Sequence, residues 1–127
     1  MDGSELQLTG EELMIQDDNR PMCMAGTIGG KNSGVSEQTQ NIFLESAFFT
    51  PASVRKNLRS HGLNTDSGYR FSRGVDPSQT RMGLERATEL LVQVAGGKAY
   101  TGVYYILSKS LDPVVVHVHL QTVSERL

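Results

Sequence analysis

The most informative stretch of the chain is Asn41-Ile42-Phe43-Leu44-Glu45-Ser46-Ala47-Phe48-Phe49. Its pattern predicts a β-strand, in which alternate side chains point to opposite faces. Glu45 would then share one face with Phe43, Ala47 and Phe49. Leaving an ionised carboxylate unpaired in apolar surroundings costs roughly several kcal/mol, so Glu45 must be paired, protonated or reserved for a ligand. Glu45 is therefore the first candidate functional residue.

The composition restricts the class of protein. A length of 127 residues indicates one domain or part of one, and 38% hydrophobic residues can supply a core. A net charge of -2 excludes a generally basic nucleic-acid-binding protein, although not a local basic patch. No apolar run approaches the roughly twenty residues of a membrane helix, and the acidic N-terminus does not resemble a signal peptide. These features predict a cytoplasmic protein that contacts no membrane.

Cys23 is the one cysteine of the chain, which excludes an internal disulfide. It lies in the apolar run Met22-Cys23-Met24-Ala25, and this position predicts a buried structural thiol rather than a nucleophile.

The turn and cap residues predict two principal helices. The first begins at Pro51, with Thr50 as its N-cap, and ends near Ser60. The second opens at Asp76-Pro77 and ends at Gly96-Gly97.

Strands and irregular segments are predicted around these helices. Met22 to Ile28 is interpreted as a buried strand, and Asn64 to Val75 as irregular or short-stranded. Two further strands, Tyr100 to Leu107 and Val114 to Leu120, close the chain. The sum is an α+β fold with a mixed or mainly antiparallel sheet.

Several other motifs are ambiguous. The glycine-rich turn Ala25 to Gly30 has neither dinucleotide-binding nor P-loop spacing, so it is a tight turn or a close approach to a ligand. Arg55, Lys56 and Arg59 form a cationic helix face, either solvated or in contact with an RNA backbone.

A metal site is not predicted. His117 and His119 share one face of the last predicted strand, but no third ligand lies nearby in the sequence.

Four landmarks follow one another along the chain: Pro21 to Gly30 with Ser33-Gly34-Val35, Asn41 to Phe49, Arg59 to Asp66, and Tyr69 to Pro77. In this order they resemble the B3/B4 editing domain of bacterial phenylalanyl-tRNA synthetase beta subunits, over roughly Leu13 to Gly97. In that family the domain hydrolyses tyrosine misattached to the tRNA for phenylalanine. A separate site is needed because a phenylalanine pocket only weakly rejects an analogue that adds a hydroxyl.

The resemblance implies roles for individual residues. Glu45 matches the glutamate that reads the tyrosine hydroxyl, and Gly29 a glycine that lets the ligand approach the backbone. Ala47 matches a small residue of the pocket wall. Ser67 stands where the family usually has alanine, which adds a hydroxyl to that wall. We hypothesise that the backbone amide of Gly30 helps to stabilise the oxyanion of ester hydrolysis, for which no protein nucleophile is assigned.

The resemblance also implies partners and boundaries. Residues 1–113 would be part of the editing domain, and residues 114–127 the passage toward a following domain. The expected partners are the tRNA for phenylalanine, which Arg55, Lys56 and Arg59 would contact, and a synthetase alpha subunit within a heterotetramer. No cofactor is expected in this part, whereas ATP and magnesium serve the whole synthetase. The alternative is a non-catalytic part that supplies tRNA or subunit contacts, since further pocket residues precede this segment in the family.

Overall fold

The structure is a computed structural model that describes residues 3–108, 110, 112 and 114–126. A small antiparallel sheet comes first, followed by helices, which confirms the predicted α+β class. The strands are β1 (Met14–Gln16), β2 (Pro21–Met24) and β3 (Ile28–Gly29). The helices are α1 (Pro51–Ser60), α2 (Asp66–Arg73), α3 (Thr80–Ala95) and α4 (Leu120–Ser124), with short 3-10 turns at Lys31–Ser33 and Pro77–Gln79.

The sheet has the order β1-β2-β3, with Ile15 opposite Cys23 and Cys23 opposite Gly29. A polar turn joins β1 to β2, and its Asp17 carboxylate accepts hydrogen bonds from the backbone amides of Asn19 (2.9 Å) and Arg20 (2.8 Å). The predicted buried strand from Met22 to Ile28 is therefore two short strands, because the chain turns back at residues 25–27.

Gly26 lies where the sheet and the helices approach each other most closely in the core. Its φ of +62° belongs to the left-handed region, and a Cβ there would lie 2.8 Å from Phe49 Cδ2 and 3.2 Å from Val54 Cγ2. Phe49 in turn packs edge-on against Phe71, with ring centroids 5.2 Å apart. Met24 and Val54 are buried beside this contact, so the core lies where the β2–β3 turn meets α1 and α2.

Helix α1 has the predicted bounds, but Thr50 makes no side-chain capping bond, and Pro51 at its first position sets the start instead. The prediction that residues 64–75 are irregular or short-stranded was wrong, because α2 forms there. Thr65 caps α2 by accepting a hydrogen bond from the Gly68 amide (3.0 Å). A capping Thr before Asp66 was the sequence signal for this helix.

Helix α3 confirms the second predicted helix, apart from its first turn, which is 3-10. Asp76 opens this turn by accepting a hydrogen bond from the Ser78 amide (2.9 Å). Hydrogen bonding from the Ser78 side chain first, and then from this amide, lowers the pKa of Asp76. Gly96, with φ +68°, ends α3 as expected.

Three predicted strands are absent from the described residues: Asn41–Phe49, Tyr100–Leu107 and Val114–Leu120. A strand requires a hydrogen-bonded neighbour, and none of these segments lies beside one here. Leu120 instead begins α4. The proposed domain boundary at residue 113 lies outside the described residues.

A buried hydrogen bond between a histidine and a glutamate, which the sequence did not predict, joins the N-terminal segment to the end of α1. His61 Nε2 donates to Glu12 Oε1 at 2.8 Å, and the two side chains are only 7% and 3% exposed. The Glu12 carboxylate also accepts hydrogen bonds from the backbone amides of Thr9 (3.1 Å) and Gly10 (3.0 Å). Burial disfavours the charged carboxylate, but the bonds from His61 and Thr9 prevail and lower the pKa of Glu12 to about 2.

We expect acid to weaken the fold through Glu12. Its pKa is about 2 in the folded chain against an ordinary value of 4.5, so its stabilising contribution is present above pH 4.5 and is lost as the pH falls toward 2. In Glu12→Gln, the free energy of unfolding should change less across this window than in the parent chain. Urea unfolding at several pH values measures the difference, and Glu37→Gln in the exposed loop is the matched control. Equal pH profiles for Glu12→Gln and the parent would contradict the assignment.

Candidate functional site

A cavity of about 400 Å³ lies between the sheet, the segment before α1, and α2. On the sheet side, the lining comes from β1, β2, β3 and the turn at residues 25–27 between β2 and β3. The opposite wall comes from the segment around Glu45 and Phe49, and α2 adds Ser67 and Phe71. The cavity is mixed in character, with aromatic and aliphatic walls and few polar groups, as is usual for small-molecule sites.

Glu45 provides the charged group of this cavity. Partial burial raises the pKa of its carboxyl, and no hydrogen bond that would oppose this shift reaches Glu45 from the described residues. A carboxylate that is partly desolvated and unpaired gains most from a ligand that donates a hydrogen bond. Glu45 is thus able to select ligands by a hydroxyl or ammonium group.

The wall around Glu45 differs from the predicted strand face in two residues. Ala47 and Phe49 line the cavity with Glu45, as alternation predicts, whereas Phe43 is 84% exposed and does not. Ser46 also lines the cavity, because the segment is not held flat in a sheet.

The two adjacent glycines lie in different surroundings. Gly29 lines the cavity, and a Cβ at this position would meet no atom within 4 Å. The amide of Gly30 instead donates to the Met22 carbonyl oxygen (2.9 Å), and a Cβ at Gly30 would collide with that same oxygen. Because its N–H is already bonded within the sheet, Gly30 is not available in this structure as the oxyanion donor that we hypothesised.

Ser67 lies in the cavity wall at the first turn of α2. Its hydroxyl donates to the Gly26 carbonyl oxygen at 3.1 Å, so the group is directed at backbone rather than held free for a ligand. The bond ties α2 to the β2–β3 turn.

Cys23 is half-buried and lines the cavity, so it is less enclosed than its sequence context predicts. Burial first, and then the nearby charge of Glu45, raise the pKa of its thiol. A thiol held protonated is a poor nucleophile, and we assign Cys23 to the wall.

The three cations of α1 lie away from the cavity lining. Lys56 pairs with Glu11, Arg55 donates to the Ser72 carbonyl oxygen (2.6 Å), and Arg59 donates to the Arg55 carbonyl oxygen (3.3 Å). Their contact with tRNA stays a prediction.

The described part of the chain contains neither a candidate membrane-spanning helix nor a candidate metal-binding cluster. No helix there is both long and apolar enough to cross a membrane. No group of three or more His, Cys, Asp or Glu side chains there is placed to hold a metal ion.

The fold and the cavity together define an α+β domain with a cavity of mixed polar and apolar lining, and comparison with known proteins identifies the class. The chain belongs to the B3/4 domain family, which matches residues 1–96. It is 51% identical over all 127 residues to the phenylalanine–tRNA ligase beta subunit of Bdellovibrio bacteriovorus, of which it spans 16%. It is 47% identical over 125 residues to the same subunit of Porphyromonas gingivalis, spanning 15% of that protein. The predicted family is confirmed, and the chain spans about one sixth of the length of these relatives.

Proposed function

We propose that the cavity is an editing pocket of a phenylalanine–tRNA ligase, which binds tyrosine attached to the tRNA for phenylalanine and promotes hydrolysis of the ester. One observation supports this most strongly: all four residues predicted to bind substrate, Glu45, Gly29, Ala47 and Ser67, line the same cavity. They come from three separate parts of the chain, so their meeting at one place does not follow from sequence order.

The chemistry of discrimination depends on Glu45. A phenol donates a hydrogen bond to this carboxylate, whereas phenylalanine would desolvate it and leave it unpaired, which is costly. Phe49 and Phe71 supply aromatic walls for the ring. In the hydrolysis, water attacks the ester carbonyl, the acyl carbon–oxygen bond breaks, and the terminal ribose oxygen takes up the proton.

A non-catalytic role is the second candidate. The titratable side chains of the lining are Glu45 and Cys23. A raised pKa keeps the Cys23 thiol protonated, and we assign Glu45 to binding the ligand hydroxyl, so the proposal gives neither group the role of general base. This favours a pocket that selects the ligand while the ester's own surroundings supply the rest of the chemistry. In the whole synthetase, an alpha subunit, ATP and magnesium would serve aminoacylation elsewhere. Association of this chain with tRNA or with the alpha subunit, without ester hydrolysis, would favour the second candidate.

The test compares tyrosyl and phenylalanyl esters of the tRNA for phenylalanine, presented to the whole synthetase that contains this domain. We expect the tyrosyl ester to be cleared much faster. Gly29→Val should slow this clearance about tenfold, because Gly29 lines the cavity and a Cβ there meets no atom within 4 Å, so the bulkier side chain would obstruct the ligand without crowding the fold. Gly97→Val, also in open space but outside the cavity, is the matched control. Equal clearance of both esters, or normal clearance by Gly29→Val, would overturn the proposal.

A further inference from the structure

Charge is distributed unevenly along this acidic chain. Between residues 51 and 75 there are five lysines and arginines but one carboxylate, Asp66, whereas the whole chain carries 12 cations and 14 acids. This segment comprises α1, α2 and the turn between them. The excess positive charge is thus concentrated on one pair of packed helices.

The arginines of this pair are not neutralised by carboxylates. Within the described residues Arg55, Arg59, Arg70 and Arg73 form no ion pair, whereas Arg81 and Arg86 on α3 pair with Glu85 (2.8 Å) and Glu89 (2.6 Å). Three of these arginines donate to backbone carbonyl oxygens instead: Arg55 to Ser72, Arg59 to Arg55, and Arg73 to Tyr69 (3.1 Å). Their full positive charge is available to an anionic partner.

An aromatic ring lies among these arginines. The Arg73 guanidinium stacks 3.4 Å from the centroid of the Tyr69 ring, and Tyr69 is 57% exposed. Tyr69 and Arg73 are one turn apart on α2, on the side opposite to Ser67 and Phe71, which line the cavity. The Arg55–Ser72 bond places the arginines of α1 beside this pair.

We propose that Arg55, Arg59, Tyr69 and Arg73 form an arginine–tyrosine face that binds single-stranded RNA. Arginines spaced along a groove bind phosphates, and an exposed aromatic–guanidinium stack accepts an unpaired base. A duplex, whose bases are already stacked, would use the arginines but not Tyr69. The choice of RNA over DNA as the partner rests on the proposed function. The arginine–tyrosine face is a surface separate from the cavity.

The test measures binding of a fluorescein-labelled single-stranded RNA dodecamer to the full chain by anisotropy, over a series of salt concentrations. Removing two phosphate contacts in Arg59→Gln/Arg73→Gln should weaken binding about tenfold and reduce the slope of log K against log salt by about 1.4. Tyr69→Ala should also weaken binding about tenfold, yet leave the slope unchanged, because stacking releases no counterions.

The matched control is Arg81→Gln/Arg86→Gln, which removes the same charge from α3 and should bind as the parent chain does. Circular dichroism checks that each variant is folded. If the two double variants lost the same affinity, binding would depend only on the net charge of the chain, and the proposal would be overturned. Equal affinity for a DNA dodecamer or for duplex RNA would also overturn it. Tyrosine binding at the cavity is measured on the same variants, so failure of the RNA face and failure of the pocket are distinguished.

Discussion

Replacing Glu45 by alanine is expected to abolish the preference of the pocket for tyrosine over phenylalanine. A hydrogen bond to a charged group contributes about 1.5–3 kcal/mol, so its loss should reduce the ratio of clearance rates of the two esters by about 10- to 150-fold. The effect should come from slower clearance of the tyrosyl ester, with some gain for the phenylalanyl ester, because no carboxylate is left unpaired beside its ring. Single-turnover deacylation by the whole synthetase measures both rates.

Two further variants sharpen this experiment. Glu45→Gln keeps an acceptor oxygen without the charge and should retain part of the preference. Glu37→Ala removes a carboxylate from the exposed loop before the segment and should change nothing. If Glu45→Ala kept the full preference for tyrosine, Glu45 would be only a wall residue and the proposed discrimination would be wrong.

Gly26→Ala should strongly destabilise the fold. The left-handed φ of +62° costs a non-glycine residue roughly 1–2 kcal/mol. The new Cβ would also press on Phe49 (2.8 Å), Val54 (3.2 Å) and Phe71 (3.3 Å), and such overpacking typically costs about 1–3 kcal/mol. Against the about 5–15 kcal/mol that stabilises a typical domain, the sum is a large fraction. Urea unfolding measures it.

Another glycine separates the two contributions. Gly10 also has a positive φ, +87°, but a Cβ there meets no atom within 4 Å. Gly10→Ala should therefore show the backbone cost alone and lower the urea midpoint less than Gly26→Ala does. Equal midpoints for the two variants would mean that the packing around Gly26 relaxes freely, which is contrary to our description of the core.

Local chemistry made the helices predictable. Pro51 and the Asp76-Pro77 pair each mark a helix start through bonds or φ values set within a few residues, and Gly96 ends α3 in the same way. The exceptions are α2 and α4. Helix α2 has an equally local signal in its Thr65 cap, whereas α4 begins at Leu120, where a strand was predicted to end. The strands were less predictable, because a strand pattern forms a strand only where a neighbour pairs with it, and Asn41–Phe49 has none here.

The sequence alone was enough to predict the family, the bounds of α1, the end of α3, and the candidate set Glu45, Gly29, Ala47 and Ser67. The tertiary structure was needed to show that these residues share a cavity and that the Ser67 hydroxyl donates to the Gly26 carbonyl oxygen. It also showed that the Gly30 amide donates to the Met22 carbonyl oxygen. It likewise brought His61 to Glu12, 49 residues away along the chain. The physical reason is the distance along the chain between the interacting residues. Caps and turns depend on neighbours in sequence, whereas a cavity or a buried histidine–glutamate contact depends on how distant segments pack.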